Sequence, residues 1–562
     1  MFLPTTPEEV AARGWDQLDV ILVTGDAYID SPFIGVSVIG HVLADVGYRV
    51  GIIAQPDIHS PDDITRLGEP ALFWGVSGGS IDSMVANYTS LKKPRRSDDY
   101  TPGGRNDRRP ARATIVYTNL IKRYTKGDAP IVLGGVEASL RRIAHYDAWD
   151  DSVRRSVLLD AKADYLLYGM AEQSALAFAD ALRFGDDPRR LRGLCYVDET
   201  PQKGYLALPA YETVARDKDA FTEMFHAFYR NSDPRSARGL TQRYANRHLI
   251  HNPPAPTMTQ DQLDAVYALD YERDAHPFYA PQGEIKALRT ITFAVSTHRG
   301  CYGECNFCAI GVHEGRTIRW RSPESIEAEV RALTQRPDFK GIIQDVSAPT
   351  VNMYGFECPR KLRKGPCEDR RCLHPDVCPS LPVDHSRHLE LLRRLRDVPG
   401  VRNVFVSSGL RHDMVLADEA HGDEYLEELV QHHVSGQLKI APEHTEERVL
   451  DAMGKPGPEA LLAFRERFSE ATEEAGLPQF LTYYIIAAHP GCTDRDMRHL
   501  RAFAAEKLGV LPEQVQIFTP TPATYSTLMY YTQKNPFTGE PIFVEKSFKG
   551  KRRQKRILTS RD

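Results

Sequence analysis

Arg299-Gly-Cys-Tyr-Gly-Glu-Cys-Asn-Phe-Cys-Ala-Ile310 sets three thiols, Cys301, Cys305 and Cys308, at the spacing Cys-x3-Cys-x2-Cys. Thiolates hold iron–sulfur clusters. Three of them on one tight loop cap three corners of a 4Fe–4S cube and leave the fourth iron open. An open metal position is where a small molecule binds and reacts. A structural zinc site normally takes four ligands in two spaced pairs, and this run lacks the second pair. The preceding segment, Ala287-Leu-Arg-Thr-Ile-Thr-Phe-Ala-Val-Ser296, reads as a β-strand from its Ile, Thr, Phe and Val content. A loop just past a strand end is where α/β barrels place their active sites.

The rest of the chain sets the frame. At 562 residues it is too long for one compact core, so two or three domains are expected. Apolar content is 41% and charged content 26%, and the net charge of −5 gives no reason to expect nucleic-acid binding. The start of the chain, Met1-Phe-Leu-Pro-Thr-Thr-Pro, has no basic segment followed by an apolar run, so no signal peptide is read. No stretch approaches the roughly 20 apolar residues of a membrane helix. Seven of the nine cysteines fall between Cys301 and Cys378. Clustering of that kind in a large chain points to metal in a reducing cytoplasm rather than to disulfides.

Residues 1–230 are expected to form an α/β, doubly wound Rossmann-like domain. Its strands are read at Asp19–Gly25, Tyr48–Ala54, Ala71–Val76, Ala129–Gly135 and Asp164–Gly169, with a helix over Ile34–Val46. Lys92–Arg112 is a basic insert, read either as a solvated loop or as a clamp over an anionic ligand or RNA backbone. Residues 231–284, with Asn252-Pro-Pro-Ala-Pro, read as a linker. Residues 285–531 again alternate strands and helices. The strand before the cysteines and those at Gly341–Val346, Val401–Ser408, Gly436–Ala441, Leu481–Ala487 and Val515–Phe518 predict a partial (β/α)6 barrel. A helix from Pro323 is expected, with Ser322 or Thr317 as its cap. Residues 532–562 form a basic tail, expected to be mobile.

The cysteine loop resembles that of the radical S-adenosylmethionine (SAM) superfamily, and Phe307 matches the aromatic usual before the third cysteine. The resemblance implies a 4Fe–4S cluster on Cys301, Cys305 and Cys308, its open iron chelated by the amino and carboxyl groups of SAM. An electron from a donor such as flavodoxin or ferredoxin then cleaves SAM to a 5′-deoxyadenosyl radical. The whole chain is similar to the YgiQ-type radical SAM proteins. The matching segments are Gly25-Asp-Ala-Tyr-Ile-Asp, Ser97-Asp-Asp-Tyr-Thr-Pro-Gly-Gly, Leu133-Gly-Gly-Val-Glu-Ala-Ser-Leu-Arg-Arg, Asn252-Pro-Pro, His276-Pro, Pro349-Thr-Val-Asn-Met-Tyr, Asp384-His-Ser, Lys439-Ile-Ala-Pro-Glu-His and Phe518-Thr-Pro-Thr-Pro. Two departures stand out. Ser347-Ala348 replaces the usual Gly-Gly, which restricts the backbone there, and Asp30-Ser31-Pro32 stands for Asp-His-Pro.

By position along the strand ends, the resemblance implies SAM contacts from Ser347, Ala348, Ser407, Ser408, Arg411, Lys439 and Glu443, with His444 and His489 beside them. Capping and loop hydrogen bonds are the plainer roles for all of these. The N-terminal sheet resembles the cobalamin-binding domains fused to some radical SAM enzymes. The Asp-x-His-x-x-Gly run that supplies an axial histidine is absent. Either cobalamin binds without a histidine, or the sheet keeps the fold without the cofactor; the second is expected here.

Cys358, Cys367, Cys372 and Cys378, with His374 among them, occupy a Pro- and Lys-rich insert over 356–380. Four thiolates there suit either a zinc ion or an auxiliary cluster, as a staple for an irregular loop. Cys195 and Cys492 read as ordinary residues. The function implied is a radical SAM enzyme of unspecified substrate. Two alternatives stand beside it. One is methylthiotransferase- or methyltransferase-like modification of RNA or protein, suggested by the second cysteine set and the basic segments. The other is a non-catalytic iron–sulfur or zinc protein, suggested only by Ser347-Ala348.

Overall fold

A computed structural model describes residues 1–560, which fall into two compact units. The first comprises Met1–Met258 and Ala265–Thr292; the second begins at Phe293 and takes in Thr259–Asp264.

The first unit is built on a nine-stranded sheet: β1 (Val20–Thr24), β2 (Val50–Ala54), β3 (Phe73–Ser77), β4 (Ile131–Gly134), β5 (Tyr165–Leu167), β6 (Leu194–Asp198), β7 (Leu206–Leu208), β8 (Leu240–Tyr244) and β9 (Arg247–His251). The spatial order is β7-β8-β9-β6-β5-β4-β3-β1-β2. Strands β2, β1, β3, β4 and β5 are parallel, as their apolar runs predict. Val20, Leu22, Val50, Ile52, Phe73, Val132 and Leu167 form the core with Phe178 of the helix Glu172–Phe184. The strand order reverses between β1 and β3, the switch point where open α/β sheets offer a crevice.

Beyond these parallel strands, β6, β9 and β8 join the sheet antiparallel. One expectation fails in this unit: the segment 231–284 is not a linker. Strands β8 and β9 form a hairpin inside the sheet, with Leu240, Leu249 and Ile250 at most 1% exposed. Burial of those residues outweighs the turn-forming composition around them.

In the second unit, β10 (Ala294–Ser296), β11 (Ile342–Ile343), β12 (Asp345–Ser347), β13 (Asn403–Val404), β14 (Gln437–Glu443), β15 (Phe480–Ala487) and β16 (Gln514–Ile517) follow in chain order. β10 pairs with β12, β11 with β13, and β14, β15 and β16 with one another, all parallel. A parallel bridge from Leu410 to Ile440 joins the two groups. With β11 and β12 as one interrupted strand, this is an open partial barrel of six strands. The helix Pro323–Thr334 starts where Ser322 Oγ accepts the Ser325 N–H and buries Ile326, Val330 and Leu333. Ser322, not Thr317, is the cap.

Only Ala294–Ser296 of the segment read as a strand before the cysteines is extended. Leu288–Ile291 forms a helical turn instead, with Leu288 and Ile291 on an apolar cluster with Ile29 and Ile34 in the first unit. The basic tail is likewise ordered over Phe548–Thr559 as a helix. Lys551, Gln554 and Leu558, at helical spacing, are at most 3% exposed. Gln554 Nε2 donates to the Cys492 carbonyl and its Oε1 accepts from Ala488 N–H, both at 2.9 Å. Most of the charges lie on the opposite, solvated face. No helix among the described residues is long and apolar enough to cross a membrane.

Candidate active site at the barrel strand ends

The cysteine loop leaves β10 through a short hairpin, His298–Arg299 paired with Arg319–Trp320. Gly300 has φ +87, and a Cβ there would lie 2.5 Å from the Thr317 carbonyl, so only glycine fits. Gly303 N–H points at Cys301 Sγ (3.3 Å). A Cβ on Gly303 would meet Cys301 Sγ at 3.2 Å and Cys305 Sγ at 3.5 Å, so the missing side chain leaves room between the two sulfurs. Asn306 ties the loop down: its N–H donates to the Met453 carbonyl (2.8 Å), its Nδ2 to the Ala452 carbonyl (2.9 Å), and its own carbonyl accepts from Ser526. Glu304, at φ +44, is held by Arg316 at 3.0 Å. Tyr302 is fully buried, its hydroxyl donating to the Phe356 carbonyl and its ring under the Lys361 ammonium. Tyr302 and Asn306 thus shape the loop from within.

The three thiols are partly buried. Burial, and then the neighbouring sulfurs, push the Cys301 and Cys308 thiols above the usual range. A bound metal reverses that and deprotonates its ligands outright. Among the described residues, the only trio of possible metal ligands lying within 4.8 Å of one another is Asp384, Asp418 and His421. Cys301, Cys305 and Cys308 therefore stand too far apart to share one ion, whose thiolates sit about 4 Å from one another. The donor set fits the corners of a larger cluster. Two positive or polar groups reach it: Thr350 Oγ1, 3.5 Å from Cys301 Sγ, and Arg411 Nη1, 3.8 Å from Cys305 Sγ.

The residues marked from sequence for SAM form two groups around this loop. In one, the Asp345 carboxylate, which sequence reading missed, accepts from the N–H groups of Ser407 (2.7 Å) and Ser408 (3.0 Å) and from Ser408 Oγ (2.5 Å). Ser408 Oγ also lies 3.4 Å from Ser347 Oγ, and Lys439 opposes the charge of Asp345. A lone carboxylate in an apolar strand run was the available signal. Ser347 and Ala348 both lie outside the left-handed region, so the loss of two glycines strains nothing. In the other group, Glu443 ends β14 after a register shift, at φ +69. Burial pushes its carboxyl up to about 7, against the opposing pull of Lys455 and Arg411. Strained, buried carboxylates of this kind collect at functional sites. His444 and His489 face elsewhere: His444 Nε2 is 3.5 Å from Cys492 Sγ, and His489 Nε2 is 2.6 Å from Ser526 Oγ.

The sequence matches the radical SAM N-terminal family over residues 2–294, the radical SAM superfamily over 295–504 and a further family described as a domain of unknown function over 513–562. A UPF0313 protein of Fusobacterium nucleatum is 52% identical over 561 residues, covering 100% of this chain and 99% of its own. The chain belongs to the UPF0313 family of radical SAM proteins. A UPF0313 protein of Thermotoga maritima is 48% identical over 559 residues, covering 99% of this chain and 98% of its own. Two solved structures share the fold. The radical SAM methyltransferase TsrM from Kitasatospora setae, described with cobalamin and a [4Fe-4S] cluster bound, gives a TM-score of 0.50 at 15% identity, over 90% of this chain and 76% of TsrM. The cobalamin-dependent radical enzyme OxsB, with aqua-cobalamin bound, gives 0.50 at 12%, over 95% of this chain and 58% of OxsB. Membership of the radical SAM superfamily carries with it SAM, a 4Fe–4S cluster and enzymatic function. The expectation that cobalamin is unused draws no support from these two neighbours.

No three thiols of the second cysteine set of this UPF0313 chain lie within 4.8 Å of one another, so, like the first set, they stand beyond single-ion distance. Cys358 and Cys378 are buried in an apolar cluster with Tyr302, Phe356, Leu373 and Leu381, and Cys372 packs on its edge. Cys367 lies apart, against the Arg360 guanidinium. His374 pairs with Asp451 at 3.1 Å. The insert is ordered by burial of Leu373 and Leu381 and by the buried Lys361–Glu357 pair.

In the first unit, the crevice between β1 and β3 is filled by the chain itself. Gly25 approaches β3 so closely that a Cβ would lie 2.2 Å from the Gly78 carbonyl. Arg109, from the basic insert, donates to Asp26 Oδ1 (2.6 Å) and the Gly25 carbonyl (3.0 Å) and pairs with Asp98 (3.1 Å). The side chains of Arg109, Asp26 and Asp98 are 0%, 1% and 5% exposed. Gln55 and Thr101 complete the network, and Glu137 caps Ser83 and Thr114. Arg112 pairs with Asp147 and Asp150. The insert is thus neither a wholly solvated loop nor an open clamp: Arg109 and Arg112 are committed to carboxylates, and the exposed Arg105 pairs with Asp107. His41 is held by Asp30 at 2.7 Å.

Proposed function

We propose that Cys301, Cys305 and Cys308 hold the family's 4Fe–4S cluster, and that SAM lies along the strand ends against Ser347, Ala348, Ser407, Ser408, Arg411, Lys439 and Glu443. The observation that carries this reading is the loop itself: three thiols beyond single-ion distance, with a glycine leaving space between two of them and a guanidinium beside one. When bound, the cluster supplies one electron, from a donor such as a flavodoxin or ferredoxin, to a SAM molecule at its open iron. The chain's own part is placement. Asp345 fixes the Ser407–Ser408 turn, whose hydroxyls donate to the Gln344 carbonyl and to Asp345 itself. Glu443, buried beside Lys455 and Arg411, offers a carboxylate to an ammonium or hydroxyl group of the ligand.

The EPR spectrum of the reduced protein tests this. Adding SAM to the anaerobic, dithionite-reduced protein is expected to change the g values, because the ligand enters the iron's own shell. A spectrum identical with and without saturating SAM would remove SAM from the open iron.

At the strand ends of the first unit the crevice holds the Arg109–Asp26–Asp98 network, and His41 is engaged by Asp30. We infer that this domain serves as a scaffold rather than as a cobalamin carrier, and that its basic insert does not serve as an RNA clamp. Incubation with hydroxocobalamin and gel filtration is expected to leave less than a tenth of an equivalent on the protein. Stoichiometric retention would overturn the inference.

A further inference from the structure

Arg411 has a second, unusual feature: its main chain is gripped from both sides. Its N–H donates to Asn352 Oδ1 (2.9 Å), and Asn352 Nδ2 donates to its carbonyl (3.0 Å). Asn352 Nδ2 also reaches His385 Nε2 at 3.2 Å, so that nitrogen is the acceptor and Nδ1 carries the proton. His385 Nδ1–H then donates to Asp418 at 2.8 Å. Asn352, His385 and Asp418 are 0%, 0% and 4% exposed, and His385 stacks on Tyr425 at 4.6 Å. The Asp384-His385-Ser386 and Pro349–Tyr354 segments, which the SAM reading leaves unused, meet in this chain of hydrogen bonds.

The guanidinium is fixed as firmly. Nε and Nη2 sit on the Asp413 carboxylate at 2.7 and 2.5 Å, which aims Nη1 at Cys305 Sγ. We propose that Arg411 sets the reduction potential of the cluster held by Cys301, Cys305 and Cys308, with Asp413 moderating its charge and Asn352, His385 and Asp418 acting as positioning residues. This rests on the assignment of the cluster to those three cysteines. A guanidinium stays protonated in proteins. Reduction adds one negative charge to the cluster, taken from a one-electron reductant. A positive charge and an N–H aimed at a ligand sulfur both favour the reduced form, and such hydrogen bonds and charge are among the factors that set cluster potentials. Asp413 works in the opposite sense, so the net effect is that of an oriented pair with its positive end toward Cys305.

The test is an anaerobic potentiometric titration of the wild type and of R411Q, R411K, D413N and H385N, followed by EPR, with iron content and thermal midpoint measured on each. Wild-type protein without cluster iron would overturn the underlying assignment, and this proposal with it. With iron present in all variants, R411Q is expected to lower the reduced-to-oxidised ratio at the wild-type midpoint about tenfold, equal to 59 mV for a one-electron couple. R411K should recover part of that loss. D413N should shift the ratio the other way. H385N should shift it as R411Q does, by about threefold. A structural role alone would lower iron content or thermal midpoint without a sign change between R411Q and D413N. Unchanged midpoints in R411Q and D413N, or shifts of one sign in both, would overturn the proposal. If R411Q loses its iron, D413N and R411K decide it on the same criterion.

Discussion

Replacing Cys301, Cys305 and Cys308 together with alanine is expected to reduce the iron of the anaerobically purified protein from about four atoms per chain to below a tenth of that. The fold should survive. Asn306 anchors the loop through three backbone contacts, Gly300 provides its turn, and Tyr302 is packed beneath it. None of these depends on metal. Burial and mutual proximity push the Cys301 and Cys308 thiols up and so keep them protonated in the apoprotein, and their replacement strands no charge there. The thermal midpoint of apo wild type and apo variant should therefore agree within a few degrees, while iron and the brown colour vanish. The control is a variant with Cys358, Cys372 and Cys378 replaced by alanine, which should keep all its cluster iron because those thiols serve as packing. Full iron in the first variant, or iron lost only in the second, would show that the cluster sits elsewhere.

The second large effect is expected at Arg109. Replacing it with methionine leaves Asp26 and Asp98 buried without their cation. Breaking a buried pair from one side costs roughly 3–5 kcal/mol, because the remaining charge keeps its desolvation penalty. The variant's thermal midpoint for the N-terminal unit is expected to fall by about 10 °C. A second change, D26N, should return part of the loss by removing one of the stranded charges. A midpoint within two degrees of wild type in R109M would mean that the crevice is open to water, and would revive the expectation of a ligand there.

The parts of the structure that could be read in advance share one property. Val20–Thr24, Val50–Ala54 and Phe73–Ser77 are apolar runs whose partners are similar runs, so local composition suffices. The hairpin Leu240–Tyr244 and Arg247–His251 was missed because Thr241, Gln242, Arg243 and His248 dilute the apolar pattern, and because Asn252-Pro-Pro follows at once. Its burial is supplied by the neighbouring strand Leu194–Asp198, more than 40 residues away in sequence. The terminal helix carried its signal in Lys551, Gln554 and Leu558, but two of those are polar types that periodicity discounts. The cysteine loop was legible because metal ligation demands close spacing on one segment. Which arginine of the basic insert is buried was not, because Asp26, Arg109's partner, stands 83 residues earlier. The same is true of Arg411 and Cys305, which are 106 residues apart. Leu373 and Leu381, which are buried in the cysteine-rich insert, carried no mark in its Pro- and Lys-rich composition.

The measurement that bears most directly on the proposed site is the release of 5′-deoxyadenosine. Reconstituted anaerobic protein, given SAM and dithionite or reduced flavodoxin, is expected to form 5′-deoxyadenosine and methionine in equal amounts, and the Cys301, Cys305 and Cys308 alanine variant to form neither. Equal product from wild type and variant, or none from a wild-type protein carrying its full cluster iron, would contradict it.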